Sequence, residues 1–578
     1  MQWQRLSILL LGLIYSLTAF AAVDISVDIH GLNGELAANV RAYLSIVQQK
    51  DNPLLSPGRL QRLHDKANDE IRHALAPFGY YRPQIDKQLE QTGTSSWHAV
   101  YNIDPGPPIR IAQIDLVLSG DINNDSLFTD YIRDLPIHQG DVFTHMSYDG
   151  VKSTLAKMAA EHGYFSARFI EHRVEIDVQA YEVRVHLHYD SGPRYRFGEL
   201  RISQSVLAPE LLQRYIPFER GSPYNLNALL DLQRILNDTE YFQTVEIKPV
   251  IDDIQQQEIP IAITLTPRKT RRYTVGLGYG TDTGARARLG WDILRVNRYG
   301  HRFNAEARQS EIGYSLSAKY RVPVLDPRTD EIVYSNSIVN EKTDSSTSTV
   351  RTVSATLNHS RGAWREALSL SYQIEDYRIA SIQDRSYELM PGVNWIRTWG
   401  RDFINTFDGL RFDLGIRGAS QDLASKTGFL QVQGGIKAIT PLGEHNRLIG
   451  RGRLGSIWSD AFQDLPSSLR FFAGGTQSVR GYAYQSLGPV DADGNVIGGR
   501  HLMIGSLELE HSFNDDWGVA IFYDAGNAYD NIDDRLEHGA GLGMRWRSPV
   551  GPVRIDLASA ISQAGRPWKL HISIGPDL

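Results

Sequence analysis

The sequence predicts α+β repeats of βααββ type followed by a 16-stranded antiparallel transmembrane β-barrel. Three observations lead there. A mark made of a helix end and aromatic residues recurs three times before residue 267. From Arg271 onward polar and apolar residues alternate with period two, as expected of strands with one wet and one apolar face. No segment past the N-terminal leader is long and apolar enough for a spanning helix, so any crossing must use strands, and in lipid only a closed barrel of strands satisfies every backbone polar group.

Residues 1–21 read as a secretory signal, with Arg5 as the positive region, Leu6 to Leu17 as the apolar run and Ala19-Phe20-Ala21 as the cleavage site. The mature chain is expected to begin near Ala22. A length of 578 residues calls for more than one domain, and a net charge of -7 argues against a nucleic-acid binder. The absence of cysteine excludes disulfides, thiolate metal sites and a lipidated N-terminal cysteine.

Three beads are expected at 22–105, 106–191 and 192–267. Their marks are Pro77-Phe78-Gly79-Tyr80-Tyr81, Glu161-His162-Gly163-Tyr164-Phe165 and Thr239-Glu240-Tyr241-Phe242. They recur at roughly 80 residues, a size that suits a small domain. Each bead closes with a strand: Trp97 to Ile103, Glu182 to Tyr189, and Ile261 to Leu265. The joints Asp104-Pro105-Gly106-Pro107 and Asp190-Ser191-Gly192-Pro193 turn and stiffen the chain between beads. Val151, Leu155, Met158 and Ala159 lie at helical spacing and read as core. A small mixed unit of this kind offers an exposed sheet edge for another strand.

The barrel is expected over 268–578. Its sixteen candidate strands begin near Tyr273, Arg286, Arg302, Tyr314, Ile332, Thr349, Glu366, Tyr387, Leu410, Phe429, Arg447, His501, Gly518, Gly539, Val553 and Trp568. An even count leaves both ends on one side. Leu542, Met544 and Trp546 oppose Arg545 and Arg547, and the aliphatics of Val553 to Leu557 oppose Arg554 and Asp556, which fits a polar lumen and an apolar exterior. Short connections at 360–363, 441–445 and 548–551 fit periplasmic turns. The segment from Asp460 to Gly499 is the longest connection on the opposite side, and it carries Gly475-Thr476-Gln477-Ser478-Val479-Arg480-Gly481-Tyr482. An arginine between small and aromatic neighbours in such a loop predicts a loop that folds back into the lumen.

Three βααββ beads after a signal, a 16-strand barrel and the Val479-Arg480-Gly481-Tyr482 loop resemble the BamA/TamA superfamily of outer-membrane assembly proteins, whose beads are called POTRA domains. The likeness covers essentially the whole mature chain, and a count of three beads makes it most like the TamA branch. Two further stretches resemble superfamily motifs: Gly499 with Ser506-Leu507-Glu508, and Phe522-Tyr523-Asp524-Ala525-Gly526. Alternation places Leu507 and Leu509 outward and Glu508 inward, and likewise Val519, Ile521 and Tyr523 outward and Asp524 inward. Both acids are therefore expected to meet Arg480, whose planar guanidinium holds a carboxylate through two parallel bonds. The chain's last residue, Leu578, departs from the aromatic end common to outer-membrane barrels.

A seam is expected between the first and last strands. Gly276, Gly278 and Gly280 leave the inner face of the first strand nearly bare, and glycine weakens a strand while permitting close approach. The last strand is short and bounded by Gly575-Pro576. Its inward His571 and Ser573 are the candidates to lie across the seam from Gly276 and Gly278, in a register the sequence leaves open. His186 and His188 share one strand face without a third ligand, so no metal is expected. Gly276-Leu277-Gly278-Tyr279-Gly280 precedes no helix and fails as a nucleotide loop. With neither HExxH nor GxSxG, and no phosphate loop, no enzyme activity, cofactor or ATP use is expected.

The resemblance implies an outer-membrane insertase of a Gram-negative bacterium, with periplasmic beads, unfolded outer-membrane substrates such as autotransporters, and an inner-membrane-anchored TamB-like partner. A polypeptide-secreting pore of the two-partner type is the alternative; a passive porin would need no beads.

Overall fold

The computed structural model describes residues 23–400, 402, 405–548 and 551–574. The signal reading, Gly575 and Leu578 lie outside the described residues.

Three small sheets come first. Strands β1 (Asp24–His30), β2 (Gln84–Gln91) and β3 (Ser96–Asp104) lie in the order β1-β3-β2, with β1 parallel and β2 antiparallel to β3. The helix Pro57–Leu75 joins β1 to β2. Its start is set by Pro57 in the first turn and by Ser56, whose side chain accepts from the Arg59 N–H. Leu60, Ala67, Ile71 and Ala74 recur on one face and are fully buried against Val40, Leu44, Ala99 and Tyr101. Strands β4 (Arg110–Ser119), β5 (Arg168–Asp177) and β6 (Glu182–Asp190) repeat the plan as β4-β6-β5, over the helix His145–Glu161 with Val151, Leu155 and Ala159 buried. Strands β7 (Arg196–Ser203), β8 (Phe242–Pro249) and β9 (Glu258–Pro267) repeat it again as β7-β9-β8.

The recurring mark has a conformational cause. Gly79 and Gly163 lie just past helix ends with φ of 91° and 86°, and Glu240 takes the matching place in the third bead with φ 55°. That left-handed position terminates each helix, and glycine adopts it without strain.

The barrel follows as β10 (Arg271–Gly280), β11 (Gly284–Ile293), β12 (Arg302–Ser310), β13 (Gly313–Pro323), β14 (Glu331–Lys342), β15 (Ser346–Arg361), β16 (Trp364–Ile379), β17 (Ile382–Gly400), β18 (Gly409–Ala419), β19 (Phe429–Pro441), β20 (Asn446–Trp458), β21 (His501–Ser512), β22 (Trp517–Tyr529), β23 (Glu537–Ser548), β24 (Gly551–Ala560) and β25 (Trp568–Ile574). They form one 16-stranded sheet in sequence order, antiparallel throughout. Leu277, Leu507, Ile521 and Leu542 stand outward and exposed, while Glu508, Asp524 and Asp556 face inward and are buried.

One expectation needs correction. On the side of the long connection, the links 281–283, 311–312, 343–345 and 380–381 are as tight as turns on the other side, and shorter than 294–301 and 324–330. For 343–345 and 380–381 the reason lies in the strands: β15 and β16 have 16 residues each and β17 has 19, so the paired wall itself extends outward and closes in tight hairpins.

Candidate functional site

The connection from β20 to β21 turns back into the lumen. Short 3-10 turns at Phe462–Asp464 and Ser467–Leu469 start it, and bridges between Phe471 and Gly499 and between Ala473 and Leu487 fold it as a flattened hairpin. Phe462, Leu465, Leu469 and Phe471 pack on Ile457, Leu502 and Ile504 of the wall, so apolar burial brings the loop in.

Arg480 is 2% exposed and faces three carboxylates. Its Nε donates to Asp524 Oδ2 at 2.7 Å and its Nη2 to Asp524 Oδ1 at 2.9 Å, the two-pronged geometry that lysine cannot supply. Nη1 donates to Glu508 Oε2 at 2.7 Å and to Asp556 Oδ2 at 3.0 Å, and the backbone N–H of Arg480 donates to Asp524 Oδ2 at 3.0 Å. The guanidinium carbon lies 3.4 Å from the centre of the Phe522 ring, a cation–π contact away from water. Burial works against the charge; the Asp524 bonds and the surrounding acids outweigh it, holding the guanidinium above the ordinary arginine range.

The rest of the motif is fitted just as closely. Val479 is fully buried, and the Tyr482 hydroxyl donates to Glu537 Oε2 at 2.8 Å. Gly481 has φ 97°, and a side chain there would strike the backbone of Ser559 and Ala560. A Cβ on Gly539 of β23 would collide with the Arg480 carbonyl oxygen. The bare inner face of β23 is what lets the loop lie against the wall.

Glu508 and Asp524 thus converge on Arg480, and the structure adds partners that sequence reasoning missed. Asp556 lies two strands further round, and alternation gives its inward direction without its partner. Arg545 bridges Glu508 (2.6 Å), Glu510 (2.9 Å) and Asp556 (2.5 Å), and Arg447 continues the chain to Glu510 at 2.5 Å and to the Thr406 carbonyl. Alternation gave their inward direction; their height relative to the loop is set only by the barrel's stagger. The loop also reaches the far wall, where Glu375 accepts from Ser467 Oγ at 3.2 Å and from Ser468, and Glu341 accepts from Tyr484 and Gln485.

At the seam, β10 and β25 are the two ends of the sheet, and among the described residues no ladder joins them. Their contact runs through a side chain: Ile572 N donates to Thr281 Oγ1 at 3.2 Å, and the Ile572 carbonyl oxygen lies beside Gly280. Thr281 meeting Ile572 sets Gly280 against Ser573. This contact fixes a register that the sequence leaves open. His571 of the last strand points inward. Its ring is fully buried under the loop, where Nε2 accepts from Gly481 N at 2.9 Å, so Nδ1 carries the proton that Thr476 Oγ1 receives at 3.2 Å. Thr476 N in turn donates to Asp282 of the β10–β11 turn at 2.8 Å. The loop therefore holds both seam strands.

In the second bead His186 lies 3.1 Å from Asp115, and His188 is hydrogen-bonded to Ser119.

The Omp85 superfamily domain matches residues 270–575, more than half of the chain. The chain belongs to the Omp85 superfamily. Within it, this is a protein of the BamA/TamA group. A POTRA domain, described as TamA domain 1, matches residues 26–105. The outer membrane protein assembly factor BamA of Nitratidesulfovibrio vulgaris is 26% identical over 359 residues, covering 58% of this chain and 44% of that one. The protein of the same name from Neorickettsia risticii is 21% identical over 524 residues, covering 84% and 68%. This Omp85 chain thus spans less than half the length of the first relative. The crystal structure of BamA from Haemophilus ducreyi lacking POTRA domains 1–3 shares the fold, with a TM-score of 0.69 and 17% identity over 81% of this chain and 99% of that one. An Omp85 barrel with POTRA domains resides in the outer membrane with the POTRA domains in the periplasm.

Proposed function

We propose that the chain is an outer-membrane insertase that assists assembly and translocation of β-barrel proteins such as autotransporters. POTRA edges guide unfolded strands, which then enter the sheet at a lateral gate between β10 and β25. A TamB-like protein anchored in the inner membrane is the proposed partner. No covalent step, cofactor or nucleotide is part of this reading. The relatives named as outer membrane protein assembly factors support it. The observation that carries it is the seam, where among the described residues a side-chain contact stands in place of a ladder. Two backbone edges held in this way can part without breaking the many bonds that join every other strand pair.

The observed register names the test. Gly280→Cys with Ser573→Cys joins the two strands in a chain that has no native cysteine. Bridging requires Cα atoms within about 7 Å. Oxidised protein in liposomes is expected to lose most of its assembly of an unfolded autotransporter barrel and to regain it on reduction. Equal rates in both states would exclude the seam as the route. Delivery of the substrate into the vesicle lumen without insertion would instead identify a secreting pore.

A further inference from the structure

We propose that the seam selects incoming strands that carry a side-chain carboxylate on the lumen-facing side, and that Arg286 is the residue that selects them. This rests on the gate reading above. Toward the β10–β11 turn the inward positions of β10 are Gly276, Gly278 and Gly280, so no side chain projects from that part of its inner face. Arg286, which faces Gly278 across the β10–β11 ladder, occupies that space: a Cβ at Gly278 would lie 3.0 Å from its Nε and 3.4 Å from its Cγ. The guanidinium is therefore carried over β10 toward its free edge. There it lines a cavity of about 640 Å³ together with Ile572, Ser573 and Ile574 of β25.

Among the described residues the charge at this place is unmet. Arg288 and Arg308 share one acid, Glu306, each at 2.5 Å. Among the described residues no carboxylate lies within ion-pair distance of Arg286. The acids lining the cavity are engaged by the loop, Glu341 by Tyr484 and Gln485, and Asp282 by Thr476. A strand added to the free edge would run about 4.8 Å from β10. An aspartate or glutamate on its inward face, opposite Gly278, would pass over bare backbone to the guanidinium and accept two parallel bonds. A lysine there would meet three arginines.

The full-length protein in liposomes, with a photoreactive amino acid at outward Leu277, captures strands that dock on β10. Two synthetic ten-residue peptides of alternating pattern serve as probes, differing only in glutamate or glutamine at the central inward position, and a third carries lysine there for the charge-reversed variant. The glutamate peptide is expected to be captured about tenfold better, equivalent to about 1.4 kcal/mol. In Arg286→Gln the two peptides should fall within twofold of each other, and in Arg286→Glu a lysine peptide should become the preferred one. Gly278→Ala, which pushes Arg286 aside without removing it, should also reduce the preference. Equal capture of both peptides by the unmodified protein would overturn carboxylate selection while leaving the gate standing. Capture of neither at Leu277 would overturn both.

Discussion

Arg480 concentrates the consequences of the loop's position in one side chain. Removing a single partner from a buried ionic cluster costs about 3–5 kcal/mol, because the remaining charges stay desolvated. In Arg480→Ala the stranded groups are Glu508, Asp524 and Asp556. The sheet does not depend on them, so the barrel should still fold, seen as unchanged mobility of the unheated protein in detergent gels. The loop should loosen, with cleavage between residues 475 and 498 by an added protease rising at least tenfold. Arg480→Lys should behave nearly as poorly, since a point charge cannot bond both Asp524 oxygens. Gly539→Ala tests the same fit from the wall: a methyl group would strike the Arg480 carbonyl, and the loop should become cleavable although every charge is retained. Loop protection unchanged in these variants would show that apolar packing alone holds it.

Among elements, the loop acts as a latch across the seam. Thr476 and Gly481 bind Asp282 at one strand end and His571 on the other, where among the described residues the backbone provides no ladder. Asp282→Ala and His571→Phe should each lower the yield of the Gly280→Cys/Ser573→Cys disulfide at fixed oxidant by several-fold, and a yield unaffected by either would deny the latch. How much of this was legible follows from what alternation encodes. Sixteen strand starts, the inward direction of Glu508 and Asp524 and the anchoring role of Arg480 follow from period-two patterning and one long gap. The roles of Asp556, Arg545 and His571 do not, because they depend on how far each strand is shifted along its neighbour. The seam register was left open for the same reason. The repeat of the beads left a mark in the sequence because a left-handed residue follows the long helix of each, even where the third bead uses Glu240 in place of glycine.

At the scale of the whole molecule, residues 202–217 and 231–247 of the third bead form one compact unit with the barrel, whereas the first two beads belong to another. The attachment is specific. Tyr241 donates its hydroxyl proton to the Gly300 carbonyl at 2.6 Å, Arg302 donates to the Thr239 carbonyl and stacks over the Tyr241 ring, and Ala208 N donates to the Arg298 carbonyl at 2.8 Å. Gly300 is required there, since its φ is 71° and a side chain would strike Tyr241. Two truncations should therefore differ. Removing Val23 to Pro193 leaves these bonds and all sixteen strands, so the barrel should insert and melt as the full chain does, while assembly of substrate is lost with the guiding edges. Removing everything to Pro267 also breaks the attachment, at about 1 kcal/mol for each hydrogen bond, and should lower the barrel's melting midpoint and expose the 294–301 turn to protease. Retention of full assembly activity by the first truncation would reduce the two outer beads to spacers, and identical melting of the two would show that the third bead adds nothing to the barrel it joins.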